Sequence, residues 1–194
     1  MVETNLKMRE NNTMNLATVK QALLKATRVV FVCDAQRQLY QPSGPSKVIF
    51  VGVPAPPLNY KADRTIASRK IFTFLCIGIV CPRKNQVWAV ELFKAFAKDR
   101  TDVKLVIVGA RETRQYEIDY LNLLKVAIGN DSRIELHPVT ENVDPFYQAA
   151  DVLLFTSTNE VTPMVISEAM SYEIPVITTN IGMIPTHIIK LVLY

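Results

Sequence analysis

The sequence predicts an α/β protein in which a parallel sheet is covered by helices on both faces. Three observations point there. From residue 72 onward, short runs of Val, Ile, Leu and Phe alternate with longer segments whose apolar residues recur at helical spacing. The short runs lack the polar alternation of a half-exposed strand, so both their faces are buried, as in parallel rather than antiparallel sheets. The chain has 194 residues, 49% hydrophobic and 21% charged, enough to bury a sizeable core and too apolar for a disordered segment.

The elements follow in order. A helix is expected over 14–26, where Leu16, Val19, Leu23 and Leu24 share a face and Thr13 can cap the start. The Val, Ile and Phe-rich runs 28–33 and 47–51 read as buried strands, separated by a short helix and by turn signals at Pro42, Gly44 and Pro45. Prolines in Gly52-Val53-Pro54-Ala55-Pro56-Pro57 remove backbone donors and stiffen the chain, so 52–70 reads as a linker. Beyond it come strands over 72–78, 104–109, 134–137, 152–156 and 176–178. Between them lie helices over 85–98, 113–128, 145–149 and 164–171. Right-handed crossovers then give a Rossmann-like layout, whose ligands sit beyond the carboxyl ends of the strands. The residues after Gly78, Gly109, His137, Thr156 and Thr178 are therefore the ones that can meet a ligand.

Composition narrows the function. The net charge is +4 with basic residues scattered, Arg69-Lys70 and Arg83-Lys84 being the densest pairs, which argues against a nucleic-acid binder. The longest apolar stretch, 71–81, is far shorter than the ~18 consecutive apolar residues of a membrane span. The first thirteen residues mix Glu3, Lys7, Arg9 and Glu10 with Asn and contain no apolar h-region, so a cytoplasmic location is expected. Cys33, Cys76 and Cys81 lie in or beside apolar runs and read as buried thiols; neither His137 nor His187 stands at zinc spacing from them. Trp88 is expected on the buried face of its helix.

The segment after the strand over 152–156 carries the chemistry. It runs Ser157-Thr158-Asn159-Glu160-Val161-Thr162-Pro163-Met164-Val165-Ile166-Ser167-Glu168. Glu160 falls in the loop at the strand's carboxyl end and Glu168 about one turn into the next helix, so both can face one cleft. The amides of Met164 and Val165, with the positive end of the helix dipole, form a seat for a phosphate, and Pro163 suits the first turn.

The stretch Ala150-Asp151-Val152-Leu153-Leu154-Phe155-Thr156-Ser157 through Glu160, Glu168, Pro175 and Gly182 resembles the nucleotide-sugar-binding half of retaining GT-B glycosyltransferases of the group 1, or family 4, type. Its Glu-x7-Glu element is the family's hallmark. Upstream, Gly78-Ile79-Val80-Cys81-Pro82-Arg83-Lys84-Asn85-Gln86 resembles the loop in which a basic residue meets the donor diphosphate, and Val106-Ile107-Val108-Gly109 resembles the next strand. The resemblance implies that Glu160 binds sugar hydroxyls, that Glu168 holds the ribose diol, and that Lys84 with Arg83 neutralises the departing diphosphate. Gly78 and Gly109 would turn the chain beside the nucleotide. It further implies a UDP- or GDP-hexose donor, an acceptor left open, retention of anomeric configuration and no metal.

Departures accompany the match. Ile79 follows Gly78 where the family commonly has Arg, so one diphosphate contact is expected to be missing; Met183 and Thr186 stand where the family has Gly and Glu. Residues 1–51 are expected to be a remnant of the acceptor domain and 71–194 a truncated donor domain, with association through an incomplete sheet. An alternative stays open: a nucleotide-sugar- or partner-binding module without activity of its own. An unrelated dinucleotide or P-loop binder is disfavoured, because no Gly-x-Gly-x-x-Gly follows a strand and no Walker loop occurs.

Overall fold

The computed structural model describes residues 16–32, 34–49, 52–53, 55–57, 60, 71–160 and 162–181. The chain divides into two compact units, Met1–Val51 and Gly52–Tyr194.

In the first unit, helix α1 (Leu16–Leu24), strand β1 (Val29–Phe31), helix α2 (Asp34–Tyr40) and strand β2 (Ser46–Val48) follow in the expected order. The strands pair in parallel, Val29 opposite Ser46 and Phe31 opposite Val48, with α2 packed on both. Phe31 is buried and stacks on Tyr40 with ring centroids 6.2 Å apart. The expectation of buried strands needs correction here, since Val30 is 61% exposed. Three-residue strands in a two-stranded sheet can bury one face against a helix and leave the other open. Cys33, Thr13 and most of the expected linker lie outside the described residues.

The second unit holds β3 (Phe72–Ile77), α3 (Gln86–Phe96), β4 (Val103–Ala110), α4 (Gln115–Ile128), β5 (Ile134–Pro138), α5 (Asp144–Ala149), β6 (Val152–Phe155), α6 (Met164–Ser171) and β7 (Val176–Thr178). Its five strands form one all-parallel sheet in the order β5-β4-β3-β6-β7. Successive strands step outward from β3 through β4 to β5, and the chain then returns to lay β6 on the other side of β3. The order reverses between β3 and β6, and the crevice at such a switch point is where α/β sheets bind ligands.

Side-chain alternation along each strand divides the core in two. Cys76 of β3, Leu105 and Ile107 of β4, and Leu154 of β6 pack under α3 and α4 with Val90, Phe93, Leu121 and Leu124. Their sequence neighbours Leu75, Ile77, Val106, Val108, Leu153 and Phe155 point the other way, onto α5 and α6 with Tyr147, Ile166, Ala169 and Tyr172. A period of two on the strands thus meets a helical stripe on each face. On α3 the stripe is Gln86, Ala89, Val90 and Phe93. Trp88, expected on that face, is instead 39% exposed. It lies two residues from both Gln86 and Val90, about 200° around the helix from either. Among the described residues β7 pairs with β6 alone, and its Ile177 is 53% exposed. No described helix is long and apolar enough to cross a membrane.

Leu105 and Leu153 are fully buried, one on each side of the sheet. Leu105→Ala and Leu153→Ala are each expected to destabilise the fold by about 2–5 kcal/mol. Because the two sites belong to opposite cores, urea denaturation of the double variant should give a loss near the sum of the single ones.

Candidate functional site

The site is built where β3 and β6 end. After Ile77 the chain turns at Gly78, with φ +136°, and the Gly78 amide donates to Val108 O at 2.9 Å. Gly109 follows the neighbouring strand with φ +127°, and its carbonyl accepts from the Val80 amide at 2.9 Å. The two glycines lie back to back: a Cβ on Gly109 would collide with the Gly78 carbonyl, and one on Gly78 would come 3.3 Å from Cε of Lys84. Only glycine permits both the positive φ and this approach.

The loop from Gly78 to α3 is held from beneath by Gln86, which is 1% exposed. Its side-chain amide donates to the carbonyls of Ile79 (3.0 Å) and Gly78 (3.4 Å), and its Oε1 accepts from the Cys81 amide (3.4 Å). Asn85, at the start of α3, takes a left-handed conformation with φ 55°. From the other side, the buried Thr156 hydroxyl sits 3.0 Å from the carbonyls of both Lys84 and Asn85. The Thr158 amide donates to Arg83 O at 2.8 Å. The loop after β3 is thereby fastened to the loop after β6.

This fastening sets the charges. Lys84 Nζ is 2.7 Å from Oε1 of Glu160, with side chains only 13% and 12% exposed. Arg83, half exposed, pairs with the same oxygen and donates to Asn159 O at 3.1 Å. Ser157 Oγ adds a donor to that oxygen at 3.3 Å. One carboxylate therefore faces two cations, a local surplus of positive charge in which Lys84 and Glu160 are largely shielded from solvent and Arg83 is half exposed. Lys84 Nζ also stands 5.2 Å from the centroid of the Phe155 ring. Ile79, where no cation is present, is 37% exposed. Beneath this group, burial pushes the Cys76 thiol up to about 12, Lys84 and the Thr156 hydrogen bond pulling more weakly the other way, so it stays protonated and inert at neutral pH.

Helix α6 starts beside the same loop. Pro163 stands at its N-cap rather than within its first turn, and no side chain caps the helix, so the amides of Met164 and Val165 open its positive end. Glu168, partly buried one turn in, accepts a 2.6 Å hydrogen bond at Oε2 from the Tyr147 hydroxyl. Among the described residues no hydrogen bond joins Glu168 to Glu160, Lys84 or Arg83. The structure thus brings Gly78, Gly109, Arg83, Lys84 and Glu160 into one contiguous group, and sets Met164, Val165 and Glu168 on the helix that follows Glu160. Gly182, Met183, Thr186 and His187 lie outside the described residues.

A family model described as glycosyl transferases group 1 matches residues 71–191. The chain belongs to that family. A glycosyltransferase of Haemophilus influenzae, itself uncharacterized, is 24% identical over 159 residues, which take in 82% of this chain and 43% of that protein. The chain thus spans less than half of this relative. Among solved structures, Anabaena HepE in complex with UDP superposes with a TM-score of 0.71 at 23% identity, covering 89% of this chain and 50% of that one. Sucrose-phosphate synthase from Thermosynechococcus elongatus gives 0.68 at 22% identity, covering 87% and 44%. These likenesses establish the α/β fold of the group 1 glycosyl transferases for this chain.

Several site residues of this family member had no role on sequence grounds. The sequence shows Gln86 only as the end of the loop stretch 78–86, and Thr156 only as the last residue of the strand over 152–156. Arg111, in the turn after β4, and Glu117, in the first turn of α4, give no sign of pairing in the sequence. Glu117 is completely buried and takes Nη2 and Nε of Arg111 at 2.5 and 2.9 Å, with the Tyr116 hydroxyl at 3.1 Å.

Two outcomes follow. Gly109→Ala should lose on the order of 1–3 kcal/mol from backbone conformation alone, with the collision adding to it, as a lower urea midpoint would register. The Arg111 hydrogen bonds hold the Glu117 carboxyl below its ordinary value of 4.5. Its contribution is therefore present above pH 4.5 and lost as pH falls through the lowered folded-state value. Glu117→Gln should flatten that acid limb of the stability profile; a limb identical to wild type would contradict the assignment.

Proposed function

We propose that this chain is the donor-binding part of a retaining hexosyltransferase that takes a UDP- or GDP-hexose and passes the sugar to an acceptor. The observation that carries the reading is the surplus of positive charge on Glu160, placed at the switch point of a parallel sheet and next to an uncapped helix start. A nucleoside diphosphate is the anion that suits such a seat, because fixed cations and the open amides of a helix start both favour phosphate and both adjoin the loop that carries Glu160. That Anabaena HepE was solved with UDP, and also with UDP-glucose, supports uridine.

On this reading Lys84 and Arg83 leave Glu160 for the diphosphate and stabilise the charge that develops on it as the glycosidic bond breaks. Arg83 supplies the second cation where Ile79 offers none. The amides of Met164 and Val165 meet the phosphate from the other side. The glycines at 78 and 109 let backbone approach the nucleotide closely. Glu160, released from its ion pairs, turns to the sugar hydroxyls, and Glu168 accepts both hydrogens of the ribose diol. Charge neutralisation falls to these side chains and the helix start, without a metal ion. Because the chain spans under half of its relative, donor binding without transfer by this polypeptide is a second reading.

Calorimetric titration with UDP, GDP and their hexose conjugates tests the proposal. Lys84→Ala should weaken diphosphate binding roughly 10–100-fold, the value of a charge-assisted contact. Glu160→Gln should bind the bare nucleoside diphosphate as well as wild type or better, because the competing carboxylate is gone, while sugar transfer falls. Absence of binding to either nucleotide at millimolar concentration would overturn both readings; binding without release of nucleoside diphosphate from the donor would select the second.

A further inference from the structure

Glu168 is not alone on its helix. Its Oε2 accepts the Tyr147 hydroxyl at 2.6 Å, and Tyr147 is fully buried in the core between the sheet and α5 and α6. The Tyr147 ring lies nearly parallel to that of Tyr172, with centroids 5.2 Å apart and planes 13° from coplanar orientation. Tyr172 in turn donates its hydroxyl to Asp144 Oδ1 at 2.6 Å and accepts the Tyr60 hydroxyl on its carbonyl at 2.9 Å. The hydroxyl that reaches Glu168 thus comes from a ring that cannot swing.

We propose that Tyr147 is a positioning residue of the nucleotide site, fixing the plane of the Glu168 carboxylate so that its remaining lone pairs face a ribose diol. The inference rests on the reading of Glu168 as the ribose-binding residue and adds the residue through which that carboxylate is oriented. A glutamate side chain on a helix has three rotatable bonds, and holding a vicinal diol needs both oxygens at one distance and in one plane. Freezing the carboxylate before the ligand arrives removes the ordering cost from the binding step. Tyr147 is a pure donor in this role, because burial and the adjacent Glu168 keep its hydroxyl protonated far above neutral pH. Tyr147 occupies one position around one oxygen, leaving the other oxygen and the second lone pair for ligand hydroxyls.

A purely architectural role would be served by any acceptor for a buried hydroxyl, so the test must read the ribose. The probes are UDP and 2′,3′-dideoxy-UDP, titrated into the full chain, and the readout is the ratio of their dissociation constants. Wild type is expected to prefer UDP by about tenfold or more. Tyr147→Phe keeps the ring and its stack on Tyr172; it should bring the ratio to within about threefold of unity by weakening UDP while leaving dideoxy-UDP unchanged. Tyr172→Phe, which removes the neighbouring hydroxyl from Asp144, serves as the architectural control and should retain the wild-type ratio. In the Glu168→Ala background, adding Tyr147→Phe should change nothing further.

Outcomes against the proposal are distinguishable. If wild type binds UDP and discriminates, and Tyr147→Phe discriminates equally well, Tyr147 has no positioning role and the ribose assignment of Glu168 stands. Should Tyr147→Phe weaken both ligands by the same factor, or Tyr172→Phe abolish discrimination as well, the tyrosines are architecture and the proposal is overturned. Binding of UDP by wild type without discrimination removes the ribose role of Glu168 and this inference with it. No binding at all removes the nucleotide site. If Tyr147→Phe does not fold, Tyr147→Met, which also removes the donor to Glu168, takes its place: a ratio within about threefold of unity supports the proposal and a wild-type ratio overturns it.

Discussion

The pairing of β3 with β6 is the constraint on which the rest of this protein depends. The two strands come from distant parts of the chain, yet the Thr73 amide donates to Asp151 Oδ2 at 2.8 Å across 78 positions, and Phe74 and Leu75 register against Val152 and Leu153. Parallel strands cannot be joined by a tight hairpin, so everything between them must be folded into the other half of the sheet. Once β6 lies beside β3, their carboxyl ends are adjacent, Thr156 and Thr158 reach the loop after β3, and Lys84 is delivered to Glu160. The site is a consequence of strand order before it is a consequence of side-chain identity.

The electrostatics at that junction are better understood as readiness than as stability. A nearly buried lysine and carboxylate recover little more than the cost of removing them from water, and Arg83 is too exposed for its pairing to add much. What the arrangement does is keep two cations assembled at one place, both held by the single Glu160 carboxylate. The glycine contact beneath and the Gln86 amide hold the backbone of the loop that carries both cations.

Most of the second unit was readable from residue pattern, because its strands are continuous apolar runs and its helices carry a clear stripe. Observed bounds differ from expected ones by one or two positions, as at β4 and α4, where fraying and turn geometry decide the ends. Trp88 shows the limit of that reading. Its size suggested burial, but the stripe is set by Gln86, Ala89, Val90 and Phe93, and a polar glutamine took the buried place because the loop above needed its amide. Glu160 and Glu168 were visible as a spaced pair, and Arg83 and Lys84 as a basic step. The meeting of Arg83 and Lys84 at one oxygen of Glu160 was not, since it depends on contacts across 77 and 76 positions. Tyr147 carries no signal in the sequence beyond its place in a short helix, since its hydroxyl finds Glu168 only across 21 positions, through the packing of α5 and α6 on one face of the sheet. The first unit was less legible, since three-residue strands leave little pattern and their outer face has no neighbour in the pair.

The separation between Arg83 and Glu160, 77 positions, also fixes an order in time. During synthesis at about 5–20 residues per second, some 4–15 s pass between the appearance of the basic step and that of its carboxylate, while helices and local contacts form within microseconds. Strands β3 to β5 with α3 and α4 can close one face of the sheet in that interval, and the cationic lip then stands without its counter-ion. The late arrival of β6 is what supplies the carboxylate and completes the charge group.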